Sequence, residues 1–139
     1  MSETLVAEQW LYNELHGDAT LMALISGVYA YVAPDTATEP YVVFSYTNDG
    51  EDEQGVGGTR LYSVLRYIVR AVDTCESFVS LATIADRINT LLHGKFEAGP
   101  SGGTIAESIR IAPYATVEVL DGGVQVRQLG GVYQLRVQS

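Results

Sequence analysis

Apolar and polar residues alternate along the segment Arg60–Asp73, which predicts a long β-strand with one buried face. The odd-numbered positions are nearly all apolar: Leu61, Leu65, Tyr67, Val69 and Ala71. The even face carries three arginines, Arg60, Arg66 and Arg70. Because the chain has so few other basic residues, these arginines either lie in solvent or meet another subunit.

An amphipathic helix is predicted directly after this strand. Asp73–Glu76 fits a capping box, in which an N-cap side chain and an acid three residues later satisfy the first amides of a helix. Apolar residues then recur at helical spacing: Phe78, Leu81, Ala85, Ile88 and Leu92. Gly94 follows where a left-handed residue ends a helix. We expect this helix to pack on the strand, and the strand to be central or near-central in its sheet.

The first third of the chain predicts two helices and two strands. The first helix runs from residue 2 to 16, with a serine cap and an apolar stripe, and a shorter one spans 18–27. Strands over 28–33 and 41–47 follow, each bordered by a proline.

The last third predicts three more strands separated by turn residues. Thr104–Ala112 alternates with Ile105, Ile109 and Ile111 on one side, and Pro113 then interrupts it. A second strand covers 115–120 and turns at 121–123, and a third covers 132–138 after two glycines. Its inward residues are Tyr133, Leu135 and Val137. The fold class is therefore α+β: one domain over 1–139, with a mixed, mostly antiparallel sheet of about five or six strands and helices packed on one face.

The connection Asn48–Thr59 is rich in glycine and acids, and it predicts a mobile hairpin tip. Its acids are Asp49, Glu51, Asp52 and Glu53. They lack the spacing of a calcium-binding loop. Because desolvating a carboxylate is costly, we expect these acids to face water or basic residues of another chain.

The composition of the chain argues against several classes of function. The formal charge of −9, from 17 acids and 8 bases, argues against a nucleic-acid-binding surface. Two distant histidines and one cysteine, Cys75, support neither a metal site nor a nucleophilic centre. The sequence predicts no enzyme, no cofactor, no secretion signal and no membrane span.

The order of these segments resembles the tail-completion, or tail terminator, proteins of tailed bacteriophages. The likeness spans nearly the whole chain. It rests on WLYNELHGDATLMALISG, VYAYVAPDTATEPYVVFSY, the strand–helix unit ending in LLHGK, and LGGVYQLRVQ. Its most telling part is Val32-Ala33-Pro34 followed by Pro40-Tyr41-Val42-Val43.

This resemblance implies a structural virion protein, made in the host cytoplasm, that caps the tail tube as a ring, usually of six copies. Such a ring would end tube polymerisation and form the joint to the head connector or stopper protein, and DNA would only pass through it. Because the family has no active site, the resemblance assigns no catalytic residues to this chain. Arginines on a strand face and an acidic loop would suit contacts between neighbouring copies.

An alternative from another class stays open. The chain could be a small-molecule or peptide-binding α+β module that uses the acidic loop 48–59 as its recognition element. A deep apolar pocket would favour this alternative.

Overall fold

The computed structural model describes residues 2–139, in which a seven-stranded sheet packs beside three helices. The helices are α1 (Glu3–His16), α2 (Ala19–Met22) and α3 (Val79–Leu92). The strands are β1 (Val28–Ala30), β2 (Tyr41–Tyr46), β3 (Glu51–Gln54), β4 (Arg60–Thr74), β5 (Lys95–Ala98), β6 (Thr104–Val119) and β7 (Gln125–Gln138). The α+β class is confirmed, with more strands than the sequence predicted.

Strand β4 is the centre of the sheet, as predicted. The order is β1-β2-β4-β7-β6-β5, and β3 pairs with β4 off this path. Only the β1–β2 pairing is parallel among the described residues. One edge of β4 pairs with β3 over 60–64 and with β2 over 67–72, while its other edge pairs with β7 over 63–74. The 15-residue strand therefore connects every part of the sheet.

The core lies between the sheet and the helices. In α3 the apolar stripe is buried, at Leu81, Ile84, Ile88 and Leu92, and in α1 the buried residues are Val6, Ala7, Trp10, Leu11 and Leu15. They meet the odd-numbered side chains of β4 and the inward residues of β7 in one cluster. The predicted cap of α1 is also present, because the amide of Leu5 donates to Ser2 Oγ at 3.4 Å.

The predicted capping box before α3 is wrong. Strand β4 continues to Thr74 because Asp73 and Thr74 pair with Arg127 and Val126 of β7. Helix α3 begins only at Val79, and its N-cap residue, Phe78, makes no side-chain capping bond; the Val79 amide donates instead to Ser77 Oγ at 3.4 Å. Pairing with β7 therefore keeps these residues in the strand, although their local sequence fits a helix cap. Gly94 does end the helix region in the left-handed conformation, with φ 76°.

Pro113 does not break the sheet, contrary to the prediction. It lies inside β6, which runs unbroken from Thr104 to Val119. Strand β5 pairs only with the first part of β6, up to Ser108. Pro113 is therefore at an outer edge, where a residue without an amide hydrogen is tolerated.

Gly130 and Gly131 also lie within a strand rather than before one. Gly130 pairs with Arg70, and a Cβ atom built on it would lie 1.9 Å from the carbonyl oxygen of Val69. The backbones of β4 and β7 therefore approach so closely here that only glycine fits.

The predicted common face for Ile105, Ile109 and Ile111 is wrong. Register shifts in the β6–β7 pairing occur between residues 105 and 107 and between 110 and 112. Ile105 is fully buried, Ile109 is half-buried and Ile111 is 44% exposed. Each irregularity changes which face the following side chains occupy.

Candidate interaction surface

The even-numbered residues 66–70 of β4 and their neighbours form the face of the sheet opposite the helices. We call it the open face, and it comprises Ser45 of β2, Arg66, Ile68 and Arg70 of β4, Tyr114 of β6, and Gln128, Val132 and Gln134 of β7. The alternation of side chains along strands places these residues together. The buried core contains the odd-numbered residues 65–71 of β4 instead. The open face is thus where polar and basic side chains of the sheet collect.

Arg66 lies on the open face and is held by its own chain. Its Nε donates to Gln134 Oε1 at 3.1 Å, and its Nη1 donates to the carbonyl oxygen of Asp49 at 2.9 Å. The Asp49 carboxylate is 3.8 Å away. The structure therefore brings together one arginine and one acid that the sequence had assigned to contacts between subunits.

Arg70 lies further along the same face and has only neutral partners within residues 2–139. Its Nε donates to Gln128 Oε1 at 3.1 Å and its Nη1 to Ser45 Oγ at 2.9 Å. Burial lowers the pKa of the Arg70 guanidinium below its usual value, because desolvation disfavours the charged form. Arg70 is a half-buried cation that lacks an anion.

Arg60 does not share this face, contrary to the prediction. Its Nη2 lies 2.5 Å from Glu3 Oε1, so its side chain turns toward α1. The cause is a shift in the β3–β4 register between Glu53 and Gln54. The same irregularity leaves Leu61, predicted to be inward, 45% exposed.

The acidic segment is mostly a strand rather than a mobile tip. Glu51–Gln54 form β3, which pairs with the first half of β4. The hairpin turn is confined to residues 55–59, where Gly57 and Gly58 have φ of 85° and 81°. The prediction missed β3 because acids are poor strand formers, yet charged side chains suit an exposed edge strand.

The four acids have different surroundings. Asp52 Oδ1 accepts from Ser63 Oγ at 2.7 Å, and Glu53 pairs with Arg136. Asp49 accepts from Thr47 Oγ1 as well as facing Arg66. Glu51 is exposed and makes no side-chain hydrogen bond or ion pair within residues 2–139. Three of the four acids thus have partners in their own chain.

Arg136 was missed by the sequence reasoning. It lies on β7 opposite Val64, pairs with Glu53, and has its Nε 3.7 Å from Glu107 Oε2. The signal was present, because the alternation that places Leu135 and Val137 inward places Arg136 outward.

The histidines and the cysteine have structural surroundings. His16 stacks on Tyr12 with ring centroids 5.0 Å apart, and His93 Nδ1 accepts from the amide of Arg110 at 3.0 Å. Cys75 is a half-buried free thiol. Within residues 2–139, no cluster of three or more histidine, cysteine, aspartate or glutamate side chains could hold a metal ion.

Two surface grooves lie beside α1. One, of about 310 Å³, is lined mainly by polar and charged residues of α1 and the β3–β4 hairpin, including Glu51 and Asp52. The other, of about 470 Å³, lies between α1 and the start of the sheet, beside Tyr12 and Phe44. The groove next to the acidic segment therefore lacks the apolar lining typical of small-molecule sites.

Comparison with solved structures gives a match over almost the whole chain. The fold is similar to that of a chain in the virion of a native gene transfer agent (GTA) particle, with a TM-score of 0.72 and 21% sequence identity. The match covers 93% of this chain and 92% of that chain. At this identity the likeness establishes a shared fold.

Sequence comparisons assign the chain to no family. No family model matches the chain, and no curated protein matches it. Among residues 2–139, no helix has the length and apolar character that a membrane crossing would require.

Proposed function

We propose that this chain is a structural virion protein that caps a tail tube as a closed ring of six copies. The ring ends tube polymerisation and forms the joint to the head connector or stopper protein. It has no enzymatic role, and DNA only passes through it.

The fold likeness to a virion chain carries this proposal. A TM-score of 0.72 over more than nine-tenths of both chains means that the two share one complete architecture rather than a common motif. The resemblance of the sequence to tail terminator proteins supports the same function independently. Because a fold alone can serve many functions, the ring and its place in the particle need their own test.

The charges suit contacts between neighbouring copies. Arg60, Arg66 and Arg70 are proposed to lie at or near a subunit boundary, and the acidic residues 49–53 face either the ring lumen or an adjacent ring. In a lumen, carboxylates would repel phosphate and keep DNA from binding. At a rim, Glu51 has the free carboxylate that a basic partner would need.

Electron microscopy of the native particle tests the ring directly. We expect this chain as one closed ring of six copies between the tail tube and the head. A single copy per particle, or a position away from the tube end, would overturn the proposal. A monomeric protein in dilute solution would not contradict the proposal, because the ring can assemble on the end of the tail tube.

Neutralising the acidic segment tests its part in joining. Asp49→Asn, Glu51→Gln, Asp52→Asn and Glu53→Gln together should leave the fold largely intact, because partly exposed ion pairs contribute little to stability. We expect fewer joined particles or slower DNA passage. Asp35→Asn with Asp86→Asn, two exposed acids elsewhere, is the control and should give normal particles. If particles with the fourfold variant have normal infectivity, the acidic segment is a solvated edge with no role in joining or DNA passage.

The binding-module alternative makes a different prediction. It requires a ligand that contacts the groove beside Glu51 and Asp52 and a chain that works as a monomer. A stable monomer that binds a small molecule or peptide there, with no copy in a particle, would favour it.

A further inference from the structure

Arg70 differs from the other basic residues in its surroundings. Four of the eight bases form ion pairs with carboxylates of their own chain: Arg60, Arg66, Arg87 and Arg136. Arg127 lies 4.8 Å over the Phe78 ring, and Lys95 lies near Glu14, whose pKa is nevertheless raised by burial and by Glu97. Arg110 also lacks a carboxylate partner within residues 2–139, but it is paired across the strands with the inward residue Tyr133 and so lies off the open face. On the open face, Arg70 is therefore the arginine whose charge remains without a counter-ion in the described chain.

Arg70 has one donor group that no atom of the described chain uses. Its Nε and Nη1 are engaged by neutral oxygens, while its Nη2 donates to no atom of residues 2–139. A partly desolvated guanidinium with a free donor edge gains from a carboxylate, which can restore the interaction that burial removed.

The end of the β6–β7 hairpin offers a complementary surface. Four apolar side chains there are 44% to 66% exposed, namely Val117, Val119, Leu120 and Val124. Glu118 and Asp121 lie among them, are exposed, and make no side-chain hydrogen bond or ion pair within residues 2–139. A group of exposed apolar side chains marks a docking element rather than a solvated turn, and the free carboxylates beside it can pair with a cation of the partner.

We infer that the hairpin end of one copy docks on the open face of the next copy, where Glu118 or Asp121 meets Arg70. This deepens the proposed ring and rests on it. Because the hairpin end and the open face are different surfaces, this contact can repeat head to tail from copy to copy until a ring closes, as the proposed ring requires.

The charge of the chain favours a second copy as the occupant. A chain with a formal charge of −9 repels its own copies, so a self-contact in which a carboxylate meets an unpaired cation is favoured over one that brings acids together. Arg70 meets that need on the open face, where Arg66 and Arg136 already face acids of their own chain.

Charge reversal with rescue tests the contact. The association of the full chain is measured by sedimentation velocity over a concentration series up to about 1 mM, a range where weak contacts are populated. Glu118→Lys with Asp121→Lys, and separately Arg70→Glu, should each weaken association about tenfold or more. The combination of all three changes should restore most of it.

Matched controls separate this contact from net charge and from folding. Asp35→Lys with Asp86→Lys changes the net charge by the same amount as Glu118→Lys with Asp121→Lys, at exposed positions elsewhere, and should not weaken association. Thermal unfolding shows whether each variant is folded. Should Arg70→Glu unfold the sheet, the hairpin-end pair, at exposed positions, carries the test.

The outcomes distinguish this inference from the proposed function. The inference is overturned if neither charge reversal changes association. It is also overturned if the hairpin end contacts another protein in the particle ring. Both outcomes leave the proposed ring untouched. A wild-type chain that stays monomeric at about 1 mM also overturns it as a self-contact, and the ring is then judged on the particle. A particle without a ring overturns both.

Discussion

The odd-numbered and even-numbered residues of β4 lie on the two faces of one strand, yet their surroundings differ in kind. On the odd face, Leu65, Tyr67 and Val69 are nearly or fully buried in a continuous apolar core. On the even face, Arg66 and Arg70 are held by amide, hydroxyl and carbonyl oxygens. The first face stabilises the domain, and the second leaves charge and donors for a partner. Mutations on the two faces should therefore separate stability from assembly.

Ile88→Ala should have the largest effect on stability. Ile88 is fully buried in α3 against the core, so truncation removes contacts and leaves a cavity. We expect a loss of about 2–5 kcal/mol in the free energy of unfolding, measured by urea denaturation. Asp86→Ala on the exposed side of α3 should stay within about 0.5 kcal/mol. Equal effects for the two variants would remove α3 from the core.

Gly130→Ala should come next, because its Cβ would collide with the backbone of β4 at 1.9 Å. We expect a loss of about 1–3 kcal/mol, the usual range for overpacking. Gly131→Ala is the matched control, since its Cβ would meet the flexible Arg110 side chain, with Nε at 2.7 Å. A Gly131 variant that loses more stability than the Gly130 variant would contradict the close approach of β4 and β7.

Glu14→Gln should change the pH dependence of stability. Burial, and then the hydrogen bond with Glu97, raise the pKa of the Glu14 carboxyl from 4.5 to about 7. The folded state therefore holds a proton that the unfolded state releases, and stability falls as pH rises from 4.5 to about 7.

Replacing Glu14 by Gln should flatten this fall. The change is on the order of 1 kcal/mol, because water still reaches the pair. Urea denaturation at pH 4.5 and pH 8 measures it. Parallel pH profiles for the wild type and the variant would show that Glu14 titrates normally.

The smallest effects should come from the acids of β3. Glu53→Gln removes the ion pair with Arg136 and should cost about 0.5–1 kcal/mol. Glu51→Gln, which removes an exposed and unpaired charge, should stay within about 0.5 kcal/mol. A larger loss at Glu51 than at Glu53 would mean that the internal pairing of β3 is misassigned.

The sequence predicted those parts of the fold in which local pattern and tertiary pairing agree. Alternation placed β4 at the centre of the sheet, and helical spacing found the buried stripe of α3. It failed where pairing decides the outcome. The residues Asp73–Glu76 form a plausible helix cap until β7 extends the strand past them, and Pro113 is a plausible break until it is placed on an outer edge.

The candidate surface was predictable to a lesser degree. Arg66 and Arg70 were placed together correctly, whereas the register shift beside Gln54 turned Arg60 toward Glu3. No local signal predicts such a shift, because it depends on how two strands align. Arg136 could have been found from the alternation in β7. The exposed hairpin end of β6 and β7 could not, since apolar residues such as Val117 and Val119 also fit a buried strand.

The buried indole of Trp10 gives the domain an intrinsic optical reporter. Its side chain is 3% exposed, and its Nε1 donates to Glu97 Oε1 at 2.6 Å, across the junction of α1 and β5. The sequence contains one tryptophan, so emission from this ring follows a single location. Its fluorescence should shift to longer wavelength when α1 leaves the sheet, and docking of the first helix can be followed in unlabelled protein.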